Sequence, residues 1–492
     1  MRSKLVGACV LALALLVPTA CGGSEVSPKE ALAANQSILG QGAGSSTDTT
    51  GTSSDSTATG DTGTTGSSVD APTAASTGGA ATGTGSTGTG STATGSTGGK
   101  PKTKGAGGAA PSASGASCAG FKNTTGITDS TITIGNSSDI SGPVPGLFSS
   151  AQQATKAYVA YFNSRSNICG RKLSLINLDS RTDAGADQQS YQKLCDQTFA
   201  AVGSMSAFDS GGAATAQSCG LPDVRAAAVT AARNQCSTCF GAESSGDHEF
   251  SNSVPDFFVK NYHDASQKAA FLYLNAGAAA ENAKTQQTVE TQRGMSFVYS
   301  AGIDVAEFNY GPYVQQMKDK GVRWVQFLGG YQQAVRLAQA MQAANFKPDI
   351  FLLDPTAYDA GFVKSGGSAV DGAVIFIMFT PFEQSQPEVN LYKQWLQQVS
   401  PGAVPTFFGL FAWSAAKLFV EQAAALGGQL SRASLVAKLK GVDNWTANGL
   451  HAPMAIGGKH APSCIRFLQL KGGKWTPLGS TSYQCDGFSK AG

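Results

Sequence analysis

Charge is scarce in this 492-residue chain: Asp, Glu, Lys and Arg make up 14% of it, against about 25% in an average soluble protein. Glycine is abundant, with 60 residues, so a low-complexity tract must dilute an otherwise ordinary domain. The charge that is present nearly cancels, 35 basic residues against 33 acidic ones, and gives no electrostatic case for nucleic acid or an anionic membrane surface as partner. Histidine is rarer still. His248, His263, His451 and His460 leave little material for a metal site or for imidazole acid–base chemistry. The stretch Gly203-Ser204-Met205-Ser206-Ala207 lacks the closing glycine of a nucleophile elbow, no G-x-G-x-x-G follows the first strand, and there is no P-loop. These absences argue against an enzyme, and no metal or cofactor is expected. Beyond residue 20 there is no run of 18 apolar residues, so no membrane-spanning helix is expected.

What is present begins with Arg2 and Lys4, an apolar run from Leu5 to Val17, and Pro18-Thr19-Ala20 before Cys21. Residues 1–20 read as an export signal. A cysteine after a small residue at the end of such a core resembles the bacterial lipobox, so Cys21 is the expected lipidation site and the membrane is reached only through that lipid. Residues 21–117 are mostly Gly, Ser, Thr and Ala and cannot bury a core, so they are expected to form a disordered, lipid-anchored tether. A flexible coil of that length spans roughly 50–60 Å.

Setting aside Cys9 and Cys21 leaves eight cysteines: Cys118, Cys169, Cys195, Cys219, Cys236, Cys239, Cys464 and Cys485. An even number in an exported chain implies up to four disulfides, although eight cysteines admit about 105 pairings. Cys236-Ser237-Thr238-Cys239 has redox C-x-x-C spacing, but residues 240–252 after it read as loop, whereas a thioredoxin-type motif opens a helix.

From residue 126 short apolar runs alternate with longer amphipathic stretches, the pattern of βαβ units. Residues 131–135, 172–179, 200–205 and 224–230 read as strands, separated by helices over 149–164, 184–199 and 211–218. A second series places strands at 269–275, 295–299, 323–329, 349–354 and 373–378, with helices at 279–293, 311–320 and 331–345. Three further helices follow, at 387–399, 411–426 and 431–440, with Ser431 a suitable cap. A strand at 464–470, a Lys471-Gly472-Gly473-Lys474 turn and a strand from Trp475 close the chain. The reading is α/β: two doubly wound parallel-sheet domains, with the late helices returning to cover an earlier sheet.

The segments ITIGNSSDISGPVPG, YFNSRSNICGRKLSL, DSRTDAGADQ and VGSMSAFDSGGA, in this order and spacing, resemble the type 1 periplasmic-binding fold of the branched-chain amino-acid (Leu/Ile/Val) binding class, the substrate-binding lipoproteins of ABC importers. The resemblance spans about residues 126–487. It implies two lobes joined by a three-stranded hinge: residues 118–253 with 383–446 as one lobe, 254–382 with 447–488 as the other, crossing near 254–257, 379–382 and 447–452. It also implies an extracytoplasmic, monomeric protein that captures a small-molecule ligand between the lobes and delivers it to ABC importer permease subunits. A ligand sensor signalling to a membrane partner would use the same fold and cleft.

Ligands of open parallel sheets bind beyond the carboxyl ends of the strands, where strand order reverses. Leu147, Phe148, Phe208 and Tyr331 are placed there to supply apolar walls, although Phe208, Thr230 and Tyr358 would also suit core positions. By the resemblance, the family's binding serine falls at Ser206 or Ala207, its Ala/Thr pair near Thr230 and Ala231, and its ligand-facing tyrosine at Tyr331 in Gly329-Gly330-Tyr331. The turn in which amino-acid binders keep a glutamate for the α-ammonium is here Asp354-Pro355-Thr356-Ala357, so Thr356 brings no charge unless Asp354 or Asp359 substitutes. A ligand with a carboxylate or amide head on an apolar body is therefore expected in place of a free amino acid. The family's strand order also implies that the helices carrying Cys195 and Cys219 lie side by side and can pair. Cys464 and Cys485 flank the final hairpin, Cys236 and Cys239 can pair locally, and Cys118 is left with Cys169.

Overall fold

The computed structural model describes residues 116–492; Cys21, the export signal and nearly all of the tether lie outside the described residues. The first βαβ series runs β1 (Thr131–Ser138), α1 (Ser149–Arg165), β2 (Lys172–Asp179), α2 (Ala184–Gln197), β3 (Ala200–Val202), α3 (Ala213–Ser218), β4 (Asp223–Ala228), α4 (Ala231–Gln235) and β5 (Cys239–Ser244). Its strands are all parallel, in the order β2-β1-β3-β4-β5. The order reverses between β1 and β3, so the crevice outside their carboxyl ends is where a ligand site belongs.

The second series runs β6 (Glu249–Ser251), α5 (Ser253–Asn261), α6 (His263–Ser266), β7 (Ala269–Leu274), α7 (Gly277–Gln292), β8 (Phe297–Ile303), α8 (Gly311–Asp319), β9 (Trp324–Leu328), α9 (Tyr331–Ala343), β10 (Ile350–Leu353), α10 (Ala360–Gly366) and β11 (Val374–Ile377). The chain then returns through α11 (Pro387–Val399), α12 (Phe407–Leu426) and α13 (Arg432–Leu439), and ends in β12 (Arg466–Lys471), β13 (Lys474–Leu478) and β14 (Phe488–Lys490). The second sheet has the order β13-β12-β11-β10-β9-β7-β8, in which β12 runs antiparallel to both its neighbours, β11 and β13. The result is two parallel-sheet lobes.

α12 is apolar on almost every side and buried along nearly its whole length, as a helix must be when both neighbours are protein. It covers the first sheet: Trp413 packs edge-on against Tyr158 of α1, ring centroids 4.8 Å apart. Thr406 caps it by accepting from the Gly409 amide at 3.1 Å, which starts the helix one turn before the apolar pattern alone suggests. Ser431 caps α13 in a capping box with Ser434.

Two segments differ from the sequence expectation. Residues 240–252 are not loop: β5 and β6 lie there, and every residue of β5 is buried. The run CFGAES has no β-branched residue, so pairing with β4 and burial make it a strand without help from local preference. Residues 254–257, expected as a hinge strand, lie inside α5, where Phe258 packs on Trp324 and Phe467. The first crossing is therefore upstream, between β5 and α5. The other two crossings pair with each other: Thr380 N donates to Leu450 O at 2.9 Å and Ala452 N to Met378 O at 2.8 Å. Four disulfides join Cys118–Cys169, Cys195–Cys219, Cys236–Cys239 and Cys464–Cys485.

Glu290 on α7 is fully buried, and neither carboxylate oxygen has a hydrogen-bond partner. Burial pushes its pKa from 4.5 up to about 8, the neighbouring Gln326 amide offsetting this only in part. The folded state thus holds a proton that the unfolded chain releases near pH 4.5, and stability falls as pH rises through the window between the two values, by at most about 1.4 kcal/mol per pH unit from this group. Glu290→Gln keeps the shape of the protonated form. It is expected to change stability little at pH 4.5 and to stabilise increasingly towards pH 8 in urea denaturation; an equal effect at both pH values would show that Glu290 is not the group responsible.

Candidate functional site

β1 ends at Ser138, and the next residue organises the crevice. Asp139 is fully buried. Its Oδ1 accepts from Ser180 Oγ at 2.5 Å, Thr182 N at 3.0 Å and Ser206 Oγ at 3.1 Å, and its Oδ2 from Ala207 N at 2.8 Å. Its backbone carbonyl accepts from Phe148 N at 3.0 Å. One carboxylate thus gathers the loops after β1, β2 and β3. Burial raises its pKa, and these hydrogen bonds oppose the shift.

Asp209 does the same for the loop after β4. It accepts from Thr230 Oγ1 at 2.6 Å and Val229 N at 2.9 Å, and its carbonyl from Arg233 Nε at 2.7 Å. Arg233 in turn binds Asp187 at 3.0 Å and Asp223 at 2.9 Å, while Arg225 lies 3.3 Å from Asp223 and 3.7 Å from Asp209, all of these side chains having no exposure. Burial raises the Asp187 pKa to about 6 against the opposing pull of both arginines.

The loops so held form one side of a cavity of about 720 Å³, a volume typical of a small-molecule site. The first lobe contributes residues 143–150, Ala207, Phe208, Val229 and, from the loop leading into α12, Val404, Phe407 and Phe408; the second contributes Leu274, residues 328–333, Asp354, Thr356, Asp359 and Lys364. Phe148 and Phe408 pack edge-to-face at 4.6 Å to make a wall. The lining is mostly apolar. Lys364 is exposed at the rim, and its amine has no ion-pair or hydrogen-bond partner among the described residues.

Of the residues singled out in the sequence, the structure brings Leu147, Phe148, Ala207, Phe208, Tyr331 and Thr356 together around this cavity. Ser206 and Thr230 instead face Asp139 and Asp209, and Thr230 also caps α4. Ala231 points its amide at Glu281 Oε1, 2.6 Å away. Tyr358 is buried among Phe379, Phe382 and Trp475, with its hydroxyl on Glu383. The turn after β10 is not free of charge, because Asp354 and Asp359 both line the cavity. Each acts within the chain: Asp354 accepts from Thr356 N at 3.0 Å and Asp359 from Gly361 N at 2.6 Å. Burial raises Asp354 to about 6.

Gln333, Lys364 and two further groups of lining residues lay outside the sequence expectation. Those after β7, including Leu274 and Asn282, follow from the same strand-end rule that located the other loops. Residues 402–408 follow no strand of either sheet, and no local signal marks them.

The lobes touch at the start of α7. Ala278 N donates to Ala207 O at 2.8 Å, Asn282 Nδ2 to Val229 O at 3.0 Å, and Glu281 accepts from Ala231 N. Gly277, at φ +51°, allows this approach, since a Cβ there would lie 2.5 Å from Ala207 O.

A model of a family described as periplasmic binding protein matches residues 131–474. Solved structures similar to this chain include a fatty acid ABC transporter substrate-binding protein from Thermomonospora curvata (18% identity, TM-score 0.64, covering 74% of this chain and 95% of that one). A solute-binding protein from R. palustris in complex with benzoate has 17% identity, TM-score 0.61, and coverage of 73% and 98%. A leucine-binding protein from Thermotoga maritima has 14% identity, TM-score 0.59, and coverage of 71% and 98%. No curated protein matches the sequence.

Asp139→Asn keeps the size of the side chain but turns one acceptor oxygen into a donor facing groups that donate. It is expected to cost about 2–4 kcal/mol in urea denaturation; a loss below about 0.5 kcal/mol would remove Asp139 from its organising role. Asn282→Ala with Glu281→Ala removes two of the three bonds that the start of α7 makes to the loops after β3 and β4. The double variant is expected to show a larger radius of gyration in small-angle scattering, as hinge opening requires, and an unchanged radius would mean that these bonds do not hold the lobes together.

Proposed function

The chain belongs to the periplasmic binding protein family, and on that premise we propose that it is an extracytoplasmic solute-binding lipoprotein which captures a carboxylate- or amide-bearing molecule with an apolar body and hands it to the permease subunits of an ABC importer. In this reading Cys21 carries the lipid, residues 21–117 form the tether, and the protein works as a monomer. Residues 118–253 with 383–446, and 254–382 with 447–488, are the two jaws, the first crossing placed just before α5.

One observation carries the ligand class. α1 and α9, 17 and 13 residues long, both start at the cavity without a side-chain cap. At α1 the Ser149 amide donates to Gly146 O and the Ala151 amide to Phe148 O, whereas at α9 the Tyr331 and Gln332 amides have no backbone acceptor among the described residues. It is therefore chiefly the start of α9 that is open to an anionic group. Lys364 adds a cation at the rim, while Asp354 and Asp359 are engaged by their own turns. Leu147, Phe148, Phe208, Tyr331 and Phe408 supply an apolar enclosure larger than a free amino acid needs. The similar proteins from Thermomonospora curvata and R. palustris, the one a fatty acid transporter's substrate-binding protein and the other solved in complex with benzoate, fit the same chemistry.

Calorimetric titration tests this directly. Benzoate and octanoate are expected to bind more tightly than leucine, isoleucine or valine; micromolar binding of free leucine would overturn the reading. Tyr331→Ala should weaken binding about thirtyfold, or about 2 kcal/mol. Lys364→Gln should weaken a carboxylate about tenfold and leave the matching amide unchanged; equal losses for both would show that Lys364 does not read charge.

A further inference from the structure

The third residue of α9, Gln333, is 4% exposed and lines the cavity, yet its side-chain amide makes no hydrogen bond among the described residues, and Oε1 is a fully buried acceptor unpartnered among them. A buried amide left unpaired is costly and calls for an explanation. At this position of a helix a glutamine normally reaches back to the cap residue's own amide and closes a capping box. Gln333 does not close one: the cap residue is Gly330, with no side chain, and α9 has no cap bond. Glycine is what makes room for this amide, because a Cβ on residue 330 would lie 2.6 Å from Gln333 Oε1. The adjacent amides of Tyr331 and Gln332 have no backbone acceptor. Hydrogen-bond donors and two buried acceptors without a partner among the described residues, Gln333 Oε1 and Gln332 Oε1, therefore stand side by side at the start of one helix that lines the cavity.

We infer that Gln333 is a specificity-determining residue which accepts a hydrogen bond from a hydroxyl placed next to the ligand's carboxylate, so that the preferred ligand is a 2-hydroxycarboxylate with an apolar body. The Tyr331 and Gln332 amides hold the carboxylate, and the Gln333 carbonyl oxygen holds the hydroxyl. The inference rests on the carboxylate reading of the cleft given above. A site built to pair a ligand hydroxyl rejects the analogue lacking it, because the amide is then left unpaired.

Matched acids provide the test, mandelate against phenylacetate and 2-hydroxyoctanoate against octanoate, titrated into the full-length protein and into Gln333→Met. The unmodified protein is expected to prefer each hydroxy acid at least tenfold. In Gln333→Met, which keeps length and volume but has no amide, the preference should fall below threefold while the unhydroxylated acids still bind. The melting temperature of the unliganded variant should stay level or rise, since no bond within the protein is lost. No preference in the unmodified protein, a preference that survives the substitution, or a lowered melting temperature would each overturn the assignment and leave the carboxylate reading standing. Failure of all four acids to bind would overturn the carboxylate reading, and this assignment with it.

Discussion

The binding cleft depends on buried carboxylates at the carboxyl edge of the first sheet. Asp139 and Asp209 sit where strands end and loops begin, and each replaces water around loop amides and hydroxyls that would otherwise be buried without acceptors. Burying such a charge is costly unless it is paired or densely hydrogen-bonded. Asp139 meets this with hydroxyls and amides. Asp209 meets it through a network in which Arg225 and Arg233 bridge Asp187, Asp209 and Asp223, with Arg233 lying over the Tyr191 ring at 4.4 Å. Loops carrying Ala207, Phe208 and Val229 to the cavity are therefore anchored by charge to the strands behind them.

Anchoring within each lobe contrasts with the contact between lobes. Inside the first lobe the polar network is dense and buried; the lobes meet through hydrogen bonds around Gly277 at the start of α7 and through Lys459, which donates to Asn234 O and Cys236 O. Under the proposed function, such a division would let a hinge motion open and close the cleft without repacking either core. The open helix amides, Lys364 and Gln333 all lie on surfaces that this motion would bring around a bound molecule.

Local pattern was a good guide wherever an element's own residues decide its conformation. β2 spans 172–179 and α11 spans 387–399, as their periodicity indicates, and Ser431 caps α13. Pattern failed at β5, whose small residues carry no strand preference and are held by β4, and at residues 254–257, which form a helix because Phe258 finds Trp324 and Phe467 across the sheet. At the site, Tyr331 and Thr356 were legible from the turns that bear them. Ser206, Thr230 and Tyr358 were legible as polar or aromatic residues at strand ends, but the direction in which each points depends on Asp139, Asp209 and Glu383, partners 67, 21 and 25 residues away.

Composition and periodicity by themselves determined the α/β class: beyond a Gly/Ser/Thr tract, two βαβ series imply parallel sheets, because helix and strand periods are set by neighbouring residues, while the binding role came with the resemblance of residues 126–487 to a known family. Tertiary structure alone decided which of the nominated side chains line the cavity. It also brought residues 402–408 across from the return helices, placed Asp354 in the lining and left the Gln333 amide unpaired. Those outcomes depend on contacts between segments far apart in the chain, and whether a polar group is satisfied by the protein or left for a ligand is settled only once those segments have met.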